Sequence, residues 1–366
     1  MRDRTEGVSM NLTLKLLRVL GSPFISDKEL PENKDEALEL YNYATKNKIG
    51  LAYLKSLKEQ GKLEEFGLNL KYDEERKKHN EHSITRIRIS ELFNSYGVNY
   101  AIFKSIMPFP ATPNDVDIIH FGSDDEYKKA AEIMLQSDYM EVEGQADAEQ
   151  RMFHDARDGE LSPHPHKKDV YDVDLYQQIS ASYVLYLDKR KLEKYVTEIN
   201  ISRNKFKVLR PEAELVTIII HSIIPEMLHT LFVYYATLHY FAKMNSEGIN
   251  KFIGIAKENN VTFSVKAHCS LVAELHNAAH GFIPEKIEGV MAELGDETRE
   301  KGILLKNNFK MPHKYSLSAV ARILLEKRKE EVFRKSAVKQ AVSMLNPKLF
   351  KWVIYNIIWR RRRETY

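Results

Sequence analysis

The sequence predicts an α+β fold: a small mixed β-sheet flanked by N-terminal helices and followed by a C-terminal helical bundle. Three observations lead there. Apolar residues recur at helical spacing through residues 10–96 and again beyond Pro211. Between those blocks, short apolar runs alternate with turn-rich stretches, and the first run follows a helix through a single glycine, Gly97. Two runs, Asp115-Val116-Asp117 and Asp172-Val173-Asp174, alternate acid with apolar residue, which is the period of a strand.

The elements follow in order. Leu12, Leu14, Leu16, Leu17 and Leu20 mark a first helix, and Ala37, Leu38, Leu40, Tyr41, Tyr43 and Ala44 a second, after a break at Pro31-Glu32-Asn33. Leu51 to Leu57 continues a helical hairpin toward Gly61, and residues 1–72 form an N-terminal helical region that packs on or roofs an α/β core expected over 73–210. That core opens with a charged helix from Asp73 to about Tyr96, closed by Gly97 as a C-cap, and a strand at Val98 to Phe103. Three prolines between Ser105 and Asn114 exclude regular structure, leaving either a stiff loop overhanging the site or a surface connector. A strand through Asp115 and Asp117, a helix over Glu126 to Gln136 and a strand at Tyr139 to Val142 come next.

Arg151 to Lys168 is polar and reads as an exposed hairpin; His164-Pro165-His166 lacks the further ligand a zinc site needs, and Lys167 or Lys168 could meet a phosphate. After Tyr171 to Tyr176 the chain reads as helical through Tyr183, Leu187 and Leu192, then as a short basic strand at Lys205 to Leu209. Pro211 opens a helix that is apolar on all sides from Leu215 to Ile224, the buried centre of a helical domain over 211–345. His221 in that helix reads as a buried, hydrogen-bonded core histidine. Residues 346–366 form a basic, aromatic tail.

The chemistry gathers on the alternating strands. Asp115 and Asp117 project to one face about 6–7 Å apart, so their charges repel, and a divalent cation relieves that repulsion. Hard carboxylate oxygens suit Mg²⁺ (or Mn²⁺), with phosphate oxygens completing its shell. Asp174 supplies a third carboxylate from a neighbouring strand. Asp172 shares its face as a supporting acid, whereas Asp169 has the opposite parity.

Composition bounds the rest. The chain has 366 residues, 43% hydrophobic and 29% charged, enough for two or three packed units, and its single cysteine, Cys269, excludes an intrachain disulfide. That single cysteine points to a reducing cytoplasm, and the charged start without a cleavage pattern and the lack of a long uncharged apolar run give no sign of a signal peptide or a membrane span. Net charge is only +3, but residues 301–366 hold 17 Lys and Arg against 4 Glu, or +13. Either this tail is a solvated face or it meets an anionic partner. Lys348, Lys351, Arg360, Arg361, Arg362 and Arg363, set among Trp352, Tyr355 and Trp359, suggest RNA or an anionic membrane, and so a peripheral membrane location.

At Phe103-Lys104-Ser105, Asp115-Val116-Asp117 and Asp174-Leu175-Tyr176 the chain resembles the nucleotidyltransferase-fold superfamily, in particular its uncharacterised bacterial and archaeal branch. The resemblance covers roughly 74–221. It implies that Asp115, Asp117 and Asp174 are the catalytic, metal-binding acids and that Lys104 and Ser105 lie near the triphosphate of an NTP such as ATP. It further implies transfer of an NMP to an acceptor hydroxyl with release of pyrophosphate. Ser105 stands where the family has Gly, and Tyr176 where it has His. Two other readings stand beside it: a glycosyltransferase using the Asp-x-Asp, which has no role for Asp174, and a non-catalytic nucleotide-, nucleic-acid- or membrane-binding module.

Overall fold

The structure, a computed structural model, describes residues 11–142, 149–158, 173–181, 184–201, 203–295, 302–343 and positions 345, 347, 350, 351, 354 and 355. The expectations for Asp169, Asp172, His164 to Lys168, Lys348 and Arg360 to Arg363 fall outside these residues; Lys351 is described and exposed.

Four helices lead the chain: α1 (Leu12–Leu20), α2 (Lys34–Lys46), α3 (Gly50–Glu59) and the long α4 (Asn69–Ser95). Asn11 and Asn33 cap α1 and α2 through their side-chain oxygens. After α4 the chain turns at Gly97, whose φ of +66° only glycine adopts without strain, and Val98 N–H returns to the Phe93 carbonyl. Strands β1 (Tyr100–Phe103) and β2 (Val116–His120) follow, then α5 (Asp124–Leu135), opened by a reciprocal cap between Ser123 and Glu126.

Next come β3 (Tyr139–Glu141), β4 (Gln150–Asp155), β5 (Val173–Tyr176), the hairpin β6 (Ile179–Ala181) and β7 (Val184–Leu187), α6 (Lys189–Glu193), β8 (Val196–Ile201) and β9 (Asn204–Leu209). The remainder is largely helical: α7 (Pro211–Ile223), β10 (Leu228–His229), α8 (Leu231–Lys243), α9 (Ser246–Glu258), α10 (Thr262–His280), α11 (Glu285–Leu294), α12 (Ile303–Lys306), β11 (His313–Lys314), α13 (Leu317–Lys327) and α14 (Glu331–Ser343). Among the described residues no helix is long and apolar enough to cross a membrane.

Seven strands form one mixed sheet in the order β3-β4-β5-β2-β1-β9-β8. β2 runs parallel to β5 and β1 parallel to β9, while the other neighbours are antiparallel. This is the α+β architecture expected. One face of the sheet, carrying Tyr100, Ile102, Val116, Ile118, Val173 and Leu175, packs on Ile89 and Phe93 of α4 and on Tyr127 and Met134 of α5. The other face, with Phe103, Ile119 and Tyr176, joins a larger core made by the N-terminal helices and α7 to α13. The helices that precede the sheet and those that come after it thus share one apolar core.

Three local expectations differ from the structure. The polar run after Arg151 begins as β4, an inner strand between β3 and β5, because Phe153 and His154 are buried there despite charged neighbours. The segment past Gln178 is the β6–β7 hairpin rather than a helix, with only the short α6 after it; Ile179, Tyr186 and Leu187 are buried, and Ser336 of α14 accepts the Leu185 N–H. Packing against α14 thus outweighs a helical pattern. The basic strand near Lys205 does form, as β9, but with β8 beside it as a partner.

Histidines make the helical core sensitive to acid. His268 and His229 are fully buried, with His268 Nε2 2.7 Å from Thr237 Oγ1 and both Nδ1 atoms 3.3 Å from the Tyr315 hydroxyl. Burial lowers His268 to about 3 and His229 well below its ordinary value. Below about pH 6.5 the unfolded chain takes up protons that the folded chain refuses, so this stability is complete above that pH and declines as pH falls toward 3. Melting temperature should therefore drop through that window, and His268→Gln should flatten the decline.

Candidate functional site

The acid strands meet side by side. Asp117 of β2 and Asp174 of β5 are register partners on adjacent parallel strands, and both lie on the face covered by the helical core. Each is nearly inaccessible, at 5% and 3% exposure. Asp115 stands one residue ahead of β2, half-buried, and its charge is felt by Asp117 and by the Tyr176 hydroxyl. Tyr176 is surrounded by acid: Asp117, Asp174 and Asp115 all push its ionisation up, after burial itself.

Lys104 supplies the opposite charge. It terminates β1 in the left-handed region at φ +56°, a conformation that costs a non-glycine residue about 1–2 kcal/mol. Its ammonium lies 3.0 Å from Asp117 Oδ1 and 3.3 Å from His221 Nδ1, over the rings of Phe103 and Tyr176. Burial pushes Asp117 up to about 6, against the pull of Lys104, with Asp115 adding to the rise. Tyr176 beside it also draws the ionisation of Asp117 down, though less than Lys104 does.

Around this pair stand Gln150 and Glu214, which the sequence did not single out, and His221, which it did. Gln150 Nε2 of β4 donates to Asp174 Oδ2 at 2.8 Å. From α7, Glu214 accepts the backbone N–H of Lys104. His221, in the last turn of α7, is partly exposed rather than enclosed; its Nδ1 lies 3.0 Å from the Tyr186 hydroxyl and its Nε2 3.6 Å from Glu226. A visible signal for Glu214 was a carboxylate directly ahead of the apolar run that begins at Leu215. Gln150 gave none, since β4 itself was hidden in a polar run.

Ser105 works through its hydroxyl. Its Oγ accepts the Asp117 N–H at 2.9 Å and donates to the Phe103 carbonyl at 3.0 Å, tying the end of β1 to the start of β2. The residue in the left-handed turn is Lys104, so a serine fits at 105 without the freedom of glycine. α4 anchors the proline loop from outside: Arg86 Nη1 donates to the Ser105 carbonyl, His82 Nε2 lies 3.1 Å from the Asp115 carbonyl, and His79 Nδ1 3.2 Å from the Ala111 carbonyl. Ser105→Ala leaves the Asp117 N–H without that acceptor, and should cost about 1–3 kcal/mol in chemical denaturation.

The donor set has the chemistry of a hard divalent cation: carboxylate oxygens gathered in a sheltered place. It is not a ready-made cage. Among the described residues no group of three or more His, Cys, Asp or Glu side chains is set to hold a metal ion, and the cation on Asp117 here is the Lys104 ammonium. Asp115, Asp117 and Asp174 fit Mg²⁺ in ligand type, with Lys104 competing for Asp117.

Fold and site together define an α+β protein whose buried acid pair lies where a mixed seven-stranded sheet meets a helical core. No family model matches the chain, and no curated protein matches it. A search of solved structures finds the crystal structure of an antigenic nucleotidyltransferase-like protein from Paracoccidioides brasiliensis, similar over 66% of this chain and 97% of that chain, with 14% identity and a TM-score of 0.33.

Proposed function

We propose that this chain is a metal-dependent nucleotidyltransferase that moves an NMP from an NTP to an acceptor hydroxyl and releases pyrophosphate. The observation that carries the reading is the register pairing of Asp117 with Asp174 beside the ammonium of Lys104. Mg²⁺ held by Asp115, Asp117 and Asp174 would supply charge neutralisation at the reacting phosphate and a more acidic acceptor hydroxyl. The protein's own residues do the rest. Lys104, buried and already beside the acids, offers an ammonium to phosphate oxygens once it leaves Asp117. Ser105 fixes the Asp117 backbone, and Gln150 holds Asp174 in place. The proline loop, braced by α4, borders the same end of the strands. The chain would act in the cytoplasm, and its basic tail would reach RNA or an anionic membrane.

A non-catalytic nucleotide-binding module is the second reading, favoured by the Lys104–Asp117 ion pair and by the lack of a preset three-ligand group among the described residues. A glycosyltransferase leaves the Asp117–Asp174 pairing without a purpose. Purified protein incubated with Mg²⁺, a pool of hydroxyl acceptors and either α-labelled NTPs or labelled nucleotide sugars distinguishes the three. Labelled acceptor and pyrophosphate that vanish in Asp117→Asn support the first, nucleotide binding without turnover the second, and turnover only of nucleotide sugars the third.

A further inference from the structure

We propose that Glu214 is a positioning residue that sets the Lys104 turn and with it the placement of the lysine ammonium; this rests on the reading of Lys104 as the phosphate contact. The first turn of α7 favours an acid, but the partly exposed Glu212 already meets that end of the helix dipole, and the dipole does not require a second carboxylate to be buried at 214. The helix starts with Pro211, and Glu214 lies beyond the capping position, between Ala213, Leu215 and Val216, all buried. Its side chain is 5% exposed, Oε1 accepts the Lys104 N–H, and Oε2 is buried with no hydrogen-bond partner among the described residues. An acid so placed is a burden on the fold, whereas leucine would pack as its neighbours do.

What Glu214 gives in return is local to Lys104. A lysine in the left-handed region is strained, and its N–H is buried at the end of β1. The Glu214 carboxyl satisfies that N–H only while the turn is kept, so it selects the backbone conformation from which the ammonium reaches Asp117 and His221. Without the acceptor the turn relaxes and the ammonium leaves its place. The loss falls on binding of phosphate rather than on the fold.

The test compares the full-length chain with Glu214→Leu and Glu214→Gln, the latter keeping an oxygen for the Lys104 N–H. Three quantities are read: affinity for a fluorescent ATP analogue with Mg²⁺, melting temperature, and the Lys104 amide and ammonium resonances by ¹⁵N NMR. Glu214→Leu should weaken nucleotide binding by about tenfold and shift both Lys104 signals, with a melting temperature no lower than that of the wild type. Glu214→Gln should restore affinity and signals. Unchanged Lys104 signals in the leucine variant, equal behaviour of the two variants, or a lowered melting temperature with wild-type affinity would overturn the proposal. If the wild type binds no nucleotide, the nucleotidyltransferase reading fails; the Lys104 resonances and the melting temperatures still decide whether Glu214 sets the lysine.

Discussion

Asp174→Asn is expected to reduce nucleotidyl transfer by about a thousandfold while leaving the protein folded, as assayed by pyrophosphate release and by circular dichroism. The side chain is the same size, and its surviving oxygen can still accept from Gln150 at the 2.8 Å seen for Asp174. What disappears is one negative charge beside Asp117 on the neighbouring strand. If that charge binds the cation that balances the reacting phosphate, activity goes and stability stays. Asp117→Asn should abolish activity too but should also lower stability, because Lys104 then keeps a buried ammonium without its counter-charge; breaking such a pair costs about 3–5 kcal/mol. The contrast between the two variants separates the chemical role of the acids from their structural one.

Phe103→Ala carries the second large effect. Phe103 is 1% exposed, belongs to the core shared by sheet and helices, and meets Tyr176 edge-on with ring centroids 5.3 Å apart. Truncating a buried phenylalanine costs about 3–5 kcal/mol through lost burial and the cavity left behind. Here the damage reaches further. The same ring lies 4.7 Å under the Lys104 ammonium, which also sits over the Tyr176 ring and 3.0 Å from Asp117 Oδ1, so the cavity opens beneath the ion pair. Urea denaturation should show the stability loss, and nucleotide affinity should fall with it even under conditions where the variant stays folded.

The sequence made the α+β class readable because helical spacing dominates before Gly97 and after Pro211, while the short alternating runs are confined to the stretch between them, where they are interspersed with helix. It brought Asp117 and Asp174 to one face for the same reason, since parity along a strand follows from its pleat. Their adjacency is another matter. It depends on β5 lying beside β2 rather than beside β4 alone, and strand order is a long-range choice that no local pattern encodes. β4 and the β6–β7 hairpin were hidden because their stability comes from partners: Phe153 and His154 are buried by neighbouring strands, and Leu185 is paired by Ser336 more than a hundred residues later. Glu214 and Gln150 were missed on similar grounds. Each is a common polar residue whose meaning lies in the single atom it touches, Lys104 N–H or Asp174 Oδ2. Ser105 looked like a departure from glycine, yet the strained position is its neighbour, and only backbone angles reveal that.

The proposed transfer requires Asp117 and Asp174 to serve one cation-binding site on β2 and β5. Titrating the purified chain with Mn²⁺ in the presence of an NTP, followed by electron paramagnetic resonance, reads this without knowledge of the acceptor. Nucleotide-dependent Mn²⁺ binding that is lost in Asp117→Asn and in Asp174→Asn alike is the expected result. Binding that survives in both variants, or that depends on Asp117 and is indifferent to Asp174, would contradict it.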